Sequence, residues 1–220
     1  MEIKPIAVFH SPFKTKFGVP RQSGLVKELR GRIVLLDDYA TPDALRGLED
    51  FDYLWMIWGF SGNKTTSETF QPTVRPPRLG GNERMGVFAT RSPYRPNGLG
   101  LSSVRILSVE GTEITVAGAD LMDGTPIYDI KPYLPYADAH PEAGNGFAGQ
   151  SEWRRLEVVL PESVANPFSD SDTQALRETL ALDPRPHYHH DAGRVYGVGF
   201  AGRDVRFRVE GDVLTVVEIR

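Results

Sequence analysis

Along the chain, short apolar runs alternate with turns rich in Gly, Pro and Asp, a pattern of many short strands and few helices. "IKPIAVFHS" (3–11) and "GRIVLL" (31–36) read as the first two strands. Thr41 as an N-cap, Pro42 at the first helical position and the stripe Leu45/Leu48 predict a helix over 41–51. "DYLWMIWGF" (52–60) is continuously apolar and aromatic, which predicts a central strand buried on both faces. "MGVFAT" (85–90) reads as the next strand, and 102–121 as two strands joined at Glu110-Gly111. Residues 123–147 read as mostly loop, with a short extended piece around Ile127–Ile130, and their prolines exclude a long helix. "EWRRLEVVL" (152–160) is a strand that fits either of its neighbours. Ser171 as N-cap with Gln174 three residues on predicts a helix that Pro184 stops. The tail alternates apolar and polar residues around Gly202 and Gly211, a three-stranded antiparallel meander.

The expected fold is therefore mostly β: a β domain over 1–160 and a small α+β C-terminal domain over 161–220, helix plus meander. No strand–GxGxxG–helix unit and no Walker loop occurs, so a doubly wound nucleotide-binding fold is not expected. At 220 residues the chain can bury its core without staples. With no cysteine, thiol catalysis, a zinc–thiolate site and a disulfide framework are excluded. No secretory leader or membrane-spanning run is seen, and the expected location is the cytoplasm.

The formal net charge of −4 argues against nucleic acid as a partner on global grounds, yet the charge is not evenly spread. Arg75, Arg78, Arg84, Arg91, Arg95 and Arg105 fall within residues 70–105, with Glu83 the only acidic residue. Guanidinium forks on a Pro/Gly-stiffened loop suit a carboxylate or phosphate, and solvated structural ion pairs are the competing reading. "GVPRQSG" (18–24) is a second basic loop. Asp129, Lys131 and Tyr133 alternate, so on a strand they share one face, fit for a polar ligand or for a structural network. "HYHH" (187–190) lacks metal-ligand spacing, His10 and His140 are isolated, and no metal is expected. These residues indicate an anion site without naming a reaction. A non-catalytic barrel that binds a small anion or RNA is an alternative to an enzyme.

The run "PTVRPPRLGGNERMGVFATRSPYRPNGLGLS" closely resembles the signature of the TsaA/YaeB-like (TrmO) family, the tRNA (N6-threonylcarbamoyladenosine37-N6)-methyltransferases. "FGVPRQSGLV", "LRGLEDFDYLWMIWGF", "LMDGTPIYDIKPYLPYAD" and "LDPRPHYHHDAGRVYGVGF" follow the family in the same order, so the likeness spans nearly the whole chain. It implies a non-Rossmann β-barrel that uses S-adenosylmethionine (SAM) to methylate N6 of the modified adenosine beside the anticodon of a threonine tRNA. It also implies a homodimer with SAM near the subunit interface. By motif match, SAM contacts fall on Pro20, Arg21, Gln22, Ser61, Gly62, Arg91, Leu101, Asp123, Gly124, Thr125 and Pro126. Here Ser61-Gly62 stands where the family often has His and a polar residue, and Gly98 stands for a commoner Pro. On that reading Asp129 or Tyr133 accepts the N6 proton, and Arg75, Arg78, Arg84, Arg95 and Lys131 meet tRNA phosphates.

Overall fold

The structure is a computed structural model that describes residues 2–62, 70–76, 83–149, 155–185, 191 and 193–220. Arg78 and the histidine run 187–190 lie outside the described residues. The N-terminal part contributes β1 (Ala7–His10), β2 (Arg30–Leu35), β3 (Tyr53–Gly59), a two-residue pair β4 (Thr73–Val74) and β5 (Met85–Gly86), β6 (Leu99–Glu110), β7 (Glu113–Ala117) and β8 (Thr125–Pro132). Six of these close into an antiparallel barrel in the order β1-β2-β7-β6-β3-β8. Its interior is filled by Ala7, Phe9, Ile33, Leu54, Met56, Trp58, Val104, Ile114 and Ile127. A barrel this small has room for side chains and little else.

The run 53–59 is not buried on both faces as its composition suggests. Leu54, Met56 and Trp58 point inward, while Tyr53 is exposed and Trp55 and Ile57 are half-buried outside. A closed sheet has one interior, so half of the apolar strand must face out. The sequence 123–147 is not mostly loop, because Thr125–Pro132 forms the eight-residue strand β8 between β1 and β3. Pro126 and Pro132 lie near its two ends, where strands tolerate proline. A register shift beside Ile57/Trp58 leaves Tyr128 unpaired on the β3 side: Ile127 pairs with buried Trp58, whereas Asp129 pairs with outward Ile57. The bulge thus turns Asp129 outward although it lies two residues from a core isoleucine.

Two other expectations change. Residues 41–51 form no α-helix but two 3₁₀ turns, Pro42–Leu45 and Leu48–Asp50, separated by Gly47 at φ 85°. "MGVFAT" supplies only β5, then a 3₁₀ turn over Val87–Ala89. The hairpin turn between β6 and β7 falls where expected, with Gly111 at φ 60°.

After the short helix α1 (Pro135–Asp138), the C-terminal part comprises β9 (Glu157–Val159), helix α2 (Asp170–Ala181), β10 (Tyr196–Phe200), β11 (Arg203–Glu210) and β12 (Val213–Ile219). The meander β10-β11-β12 is as expected. β9 joins it through a parallel pairing with β12, giving a four-stranded sheet. The N-cap of α2 is Ser169 rather than Ser171: its Oγ accepts from the Asp172 N–H at 3.1 Å. α2 lays Ala175, Leu176 and Leu180 into a second core with Phe200, Phe207, Leu214 and Val216. Phe13, Val26 and Leu29, from the segment that joins β1 to β2, are buried in this same second core. The tip of that segment returns to the barrel rim, where the Gly24 N–H donates to Gly118 O at 2.8 Å.

Candidate functional site

The segments singled out in the sequence are far apart in the chain and meet at one rim of the barrel. The β1–β2 segment, gripped by the second core on both sides, presents Pro20, Arg21 and Gln22. Pro20 is buried and Arg21 is exposed. Arg91 donates from a guanidinium nitrogen to Gln22 Oε1 at 2.5 Å, and Gln22 Nε2 donates to Arg21 O at 2.6 Å. "PRQ" and "ATRS" are therefore in direct contact.

Beneath them lies a residue that the motif reading passed over. Asp120 Oδ1 accepts from the Ser102 hydroxyl at 2.6 Å, and Ser102 Oγ accepts from Trp58 Nε1–H at 3.0 Å. Burial pushes the Asp120 carboxyl above its ordinary value. The Ser102 hydroxyl, the backbone N–H groups of Asp120 and Ser23, and the Arg91 charge oppose that rise. One carboxyl thus links β6, the "PRQS" loop and Arg91. The signal in the sequence was a charged residue in "VAGADL", at the end of an otherwise apolar strand.

The glycines of "NGLGLS" have separate reasons. Gly98 sits in the left-handed region at φ 58°, closing a turn in which its N–H donates to Arg95 O. Gly100 faces Trp58 across the β3–β6 pair, and a Cβ there would lie 2.3 Å from the indole. Only glycine lets Trp58 lie flat over β6 and reach Ser102. Leu101, between Gly100 and Ser102 in the strand, points outward and is exposed.

The Asp123–Pro126 turn forms the opposite wall. Asp123 accepts from the Ser11 N–H at 3.1 Å and lies 3.2 Å from His10 Nδ1. The Gly124 N–H donates to Phe9 O at 2.9 Å with φ at 77°, and Thr125 Oγ1 donates to Met122 O at 2.7 Å. Ser61 and Gly62 are exposed, and a Cβ on Gly62 would touch Met122, the neighbour of Asp123. On the His10 side of this turn a groove of about 440 Å³ opens, lined by Ser11, Arg30, Arg32 and Asp123. Neither Gln22 nor Arg91 lines it.

Asp129, Lys131 and Tyr133 do share the outer face. Lys131 Nζ lies 2.7 Å from Asp129 Oδ2, and Tyr133 packs against Trp55 with ring centroids 5.5 Å apart. Across β3 the outward rows are Asp129–Ile57–Leu101 and Lys131–Trp55–Ser103, with Tyr53 opposite Arg105 in the next. Asp129 is therefore in the row of Leu101, about 10 Å away over two strand spacings. The arginines divide. Arg95 folds back on its own loop, donating to Thr90 O at 2.7 Å beside the Phe88 ring. Arg84 reaches Thr73 Oγ1, and Arg75 is exposed.

The donor set at the rim suits a zwitterionic sulfonium ligand. Arg21 and Arg91 supply guanidinium charge for a carboxylate, Asp120 and Asp123 supply carboxyl groups for an ammonium or sulfonium, and Leu101 supplies apolar surface. Among the described residues no cluster of His, Asp or Glu can hold a metal ion. No helix among them is long and apolar enough to cross a membrane.

Known proteins share this fold. The family model of the tRNA-methyltransferase O N-terminal domain matches residues 8–139, and that of the TrmO C-terminal domain matches 155–220. The chain is 42% identical over 220 residues to the tRNA (adenine(37)-N6)-methyltransferase of Escherichia coli K12, covering 94% of this chain and 93% of that protein. It is 37% identical to the Pseudomonas aeruginosa protein named "Putative S-adenosylmethionine-dependent methyltransferase RcsF", over 99% of this chain and 96% of the other. A crystal structure of TrmO from P. aeruginosa superposes with a TM-score of 0.80 at 33% identity, over 100% of this chain and 96% of that one.

Proposed function

The chain belongs to the TrmO family of tRNA methyltransferases, and on that premise we propose that it transfers a methyl group from SAM to N6 of the adenosine at position 37 of a tRNA. The acceptor we infer is N6-threonylcarbamoyladenosine in a threonine tRNA, and the working form a cytoplasmic homodimer. The observation that carries the reading is the contact of Gln22 with Arg91 above the Trp58–Ser102–Asp120 chain. That contact joins two of the segments to which the family resemblance assigns the cofactor, and this supports the reading.

When bound, SAM supplies an electrophilic methyl group on a sulfonium. The chain's own task is then mostly positioning, since displacement needs the acceptor nitrogen in line with the methyl–sulfur bond. Arg91 and Arg21 hold the ligand's carboxylate, with Gln22 fixing the Arg91 fork. Pro20, Ser61, Gly62, Leu101 and the Asp123–Pro126 turn complete the cofactor contacts. The N6 lone pair is delocalised into the ring, so an acceptor for its proton aids attack. Of Asp129 and Tyr133, Asp129 is the better candidate. Its carboxylate is in the Leu101 row, whereas the Tyr133 ring is packed against Tyr53 and Trp55. Arg75, Arg84 and Lys131 are offered as phosphate contacts, and Arg95 as a residue that stiffens the loop carrying Arg91.

The test is nucleoside mass spectrometry of threonylcarbamoylated tRNA incubated with the purified protein and SAM. A methylated N6-threonylcarbamoyladenosine is expected. Its absence, with SAM binding intact by calorimetry, overturns the reading. Light scattering of the same sample reports the oligomer.

A further inference from the structure

The outer face of β8, β3 and β6 carries an aromatic surface that the cofactor rim does not use. Three rings form its floor. Tyr133 packs against Trp55 at 5.5 Å and against Tyr53 at 6.2 Å. Tyr53 is 43% exposed, and Tyr136, on α1, is 87% exposed.

The floor is rigid. Trp55 Nε1–H donates to Asp138 Oδ2 at 2.9 Å, and the Leu134 N–H donates to the same oxygen at 2.9 Å. These two bonds, the Leu134 N–H first and then the indole, hold the Asp138 carboxyl below its ordinary range. The carboxylate thus stays charged, and it clamps α1 against the indole. Trp55 is fixed on its strand rather than free to collapse onto the barrel.

Charge flanks the rings. Arg105 is opposite Tyr53 and shares its face, exposed and with no ion pair among the described residues. Lys131 is opposite Trp55, leaning toward Asp129. Protein–protein interfaces share the enrichment in Tyr, Trp and Arg but are depleted of lysine and carboxylates at their centres, unlike the Lys131–Asp129 edge of this face. Fixed rings interleaved with Arg and Lys are instead what unpaired nucleotides need: a π face for each base and a cation for each phosphate.

We propose that this face is a stacking platform for unpaired bases of an RNA loop, with Arg105 and Lys131 meeting the backbone. The proposal rests on the tRNA reading above and deepens it. The platform begins one row from Asp129 and Leu101, so nucleotides flanking the reacting adenosine reach it while that adenosine lies at the rim.

The experiment uses the full-length protein, an anticodon stem-loop RNA and SAM. RNA titration is followed by tryptophan fluorescence in wild type and Trp55→Phe, and by anisotropy of labelled RNA in Tyr136→Ala and the double variant Tyr53→Ala/Tyr136→Ala. The platform predicts quenching that Trp55→Phe abolishes, RNA affinity lowered roughly tenfold or more in the double variant, and SAM affinity unchanged in both tyrosine variants. Wild-type RNA affinity in the double variant overturns the platform and leaves the methyltransferase reading standing. A change of oligomeric state in that variant, read by light scattering, also overturns it, because the face is then a subunit interface. If wild type methylates no tRNA while the predicted quenching and affinity losses are seen, the enzyme reading fails and the platform stands as an RNA site. If wild type shows no RNA binding, the platform fails.

Discussion

Replacing Ser102 with alanine isolates the polar chain under the rim. The Ser102 hydroxyl accepts from Trp58 Nε1–H at 3.0 Å and donates to Asp120 at 2.6 Å, and both Ser102 and Trp58 are buried. Alanine leaves the indole N–H without its acceptor, a loss of about 1–3 kcal/mol. For a chain of this length that corresponds to a fall in Tm of about 2–4 °C per kcal/mol. The assay is thermal unfolding of wild type and Ser102→Ala by circular dichroism, repeated from neutral pH into acid. The pH series adds a sign. Burial raises the Asp120 carboxyl, and the Ser102 hydroxyl is the first of the groups that hold it down. Without that donor the carboxyl climbs further. The variant's extra deficit is therefore complete only above the raised range of Asp120, where the carboxyl is ionised. It shrinks as pH falls through the raised range of Asp120, because a protonated carboxyl no longer needs the donor. A Tm gap below about 1 °C at neutral pH, or one that widens toward acid, refutes this account of the chain.

Arg91→Ala should keep the circular dichroism of wild type but weaken SAM binding in calorimetry by roughly ten- to a hundredfold, the worth of a charged hydrogen bond, and abolish methylation. Near-normal turnover removes Arg91 from the site. Gly100→Ala places a methyl group 2.3 Å from the Trp58 ring and should cost about 1–3 kcal/mol in urea unfolding. An unchanged midpoint means the indole moves freely. Ser169→Ala removes the N-cap of α2 and should cost about 1 kcal/mol with SAM affinity unaltered, whereas loss at Ser171 instead would restore the cap first read from the sequence.

The β-rich class, the closing meander and the β6–β7 hairpin were legible because alternation and turn glycines are local signals. The misread elements each failed through a tertiary cause. Tyr53, Trp55 and Ile57 look like core residues, and only barrel closure puts them outside. β8 carries two prolines that argue against a strand, and they are tolerated at its ends. The 41–51 stretch has a good helix start, but Gly47 in the left-handed region breaks it into separate turns. At the site, "PRQ" and Arg91 could be named from motif resemblance, yet their contact spans 69 residues and no local pattern encodes it. Asp120 was missed for the same reason: its partners Ser102 and Ser23 come from other strands and loops. The outward aim of Asp129 depends on the bulge at Tyr128, which alternation alone does not show.

Phe13 and Val26 bracket Pro20–Gln22 in sequence, and both are buried with α2 and the meander. The Pro20–Gln22 loop is thus a staple between two hydrophobic cores. A ligand that binds only when this loop is held in place stabilises the C-terminal sheet against unfolding, and unfolding of that sheet releases the ligand, by the same free energy in either direction. The barrel and its appendage should therefore melt together in the presence of SAM, even if they separate without it. A barrel cut free before β9 would keep its strands and lose its grip on the cofactor.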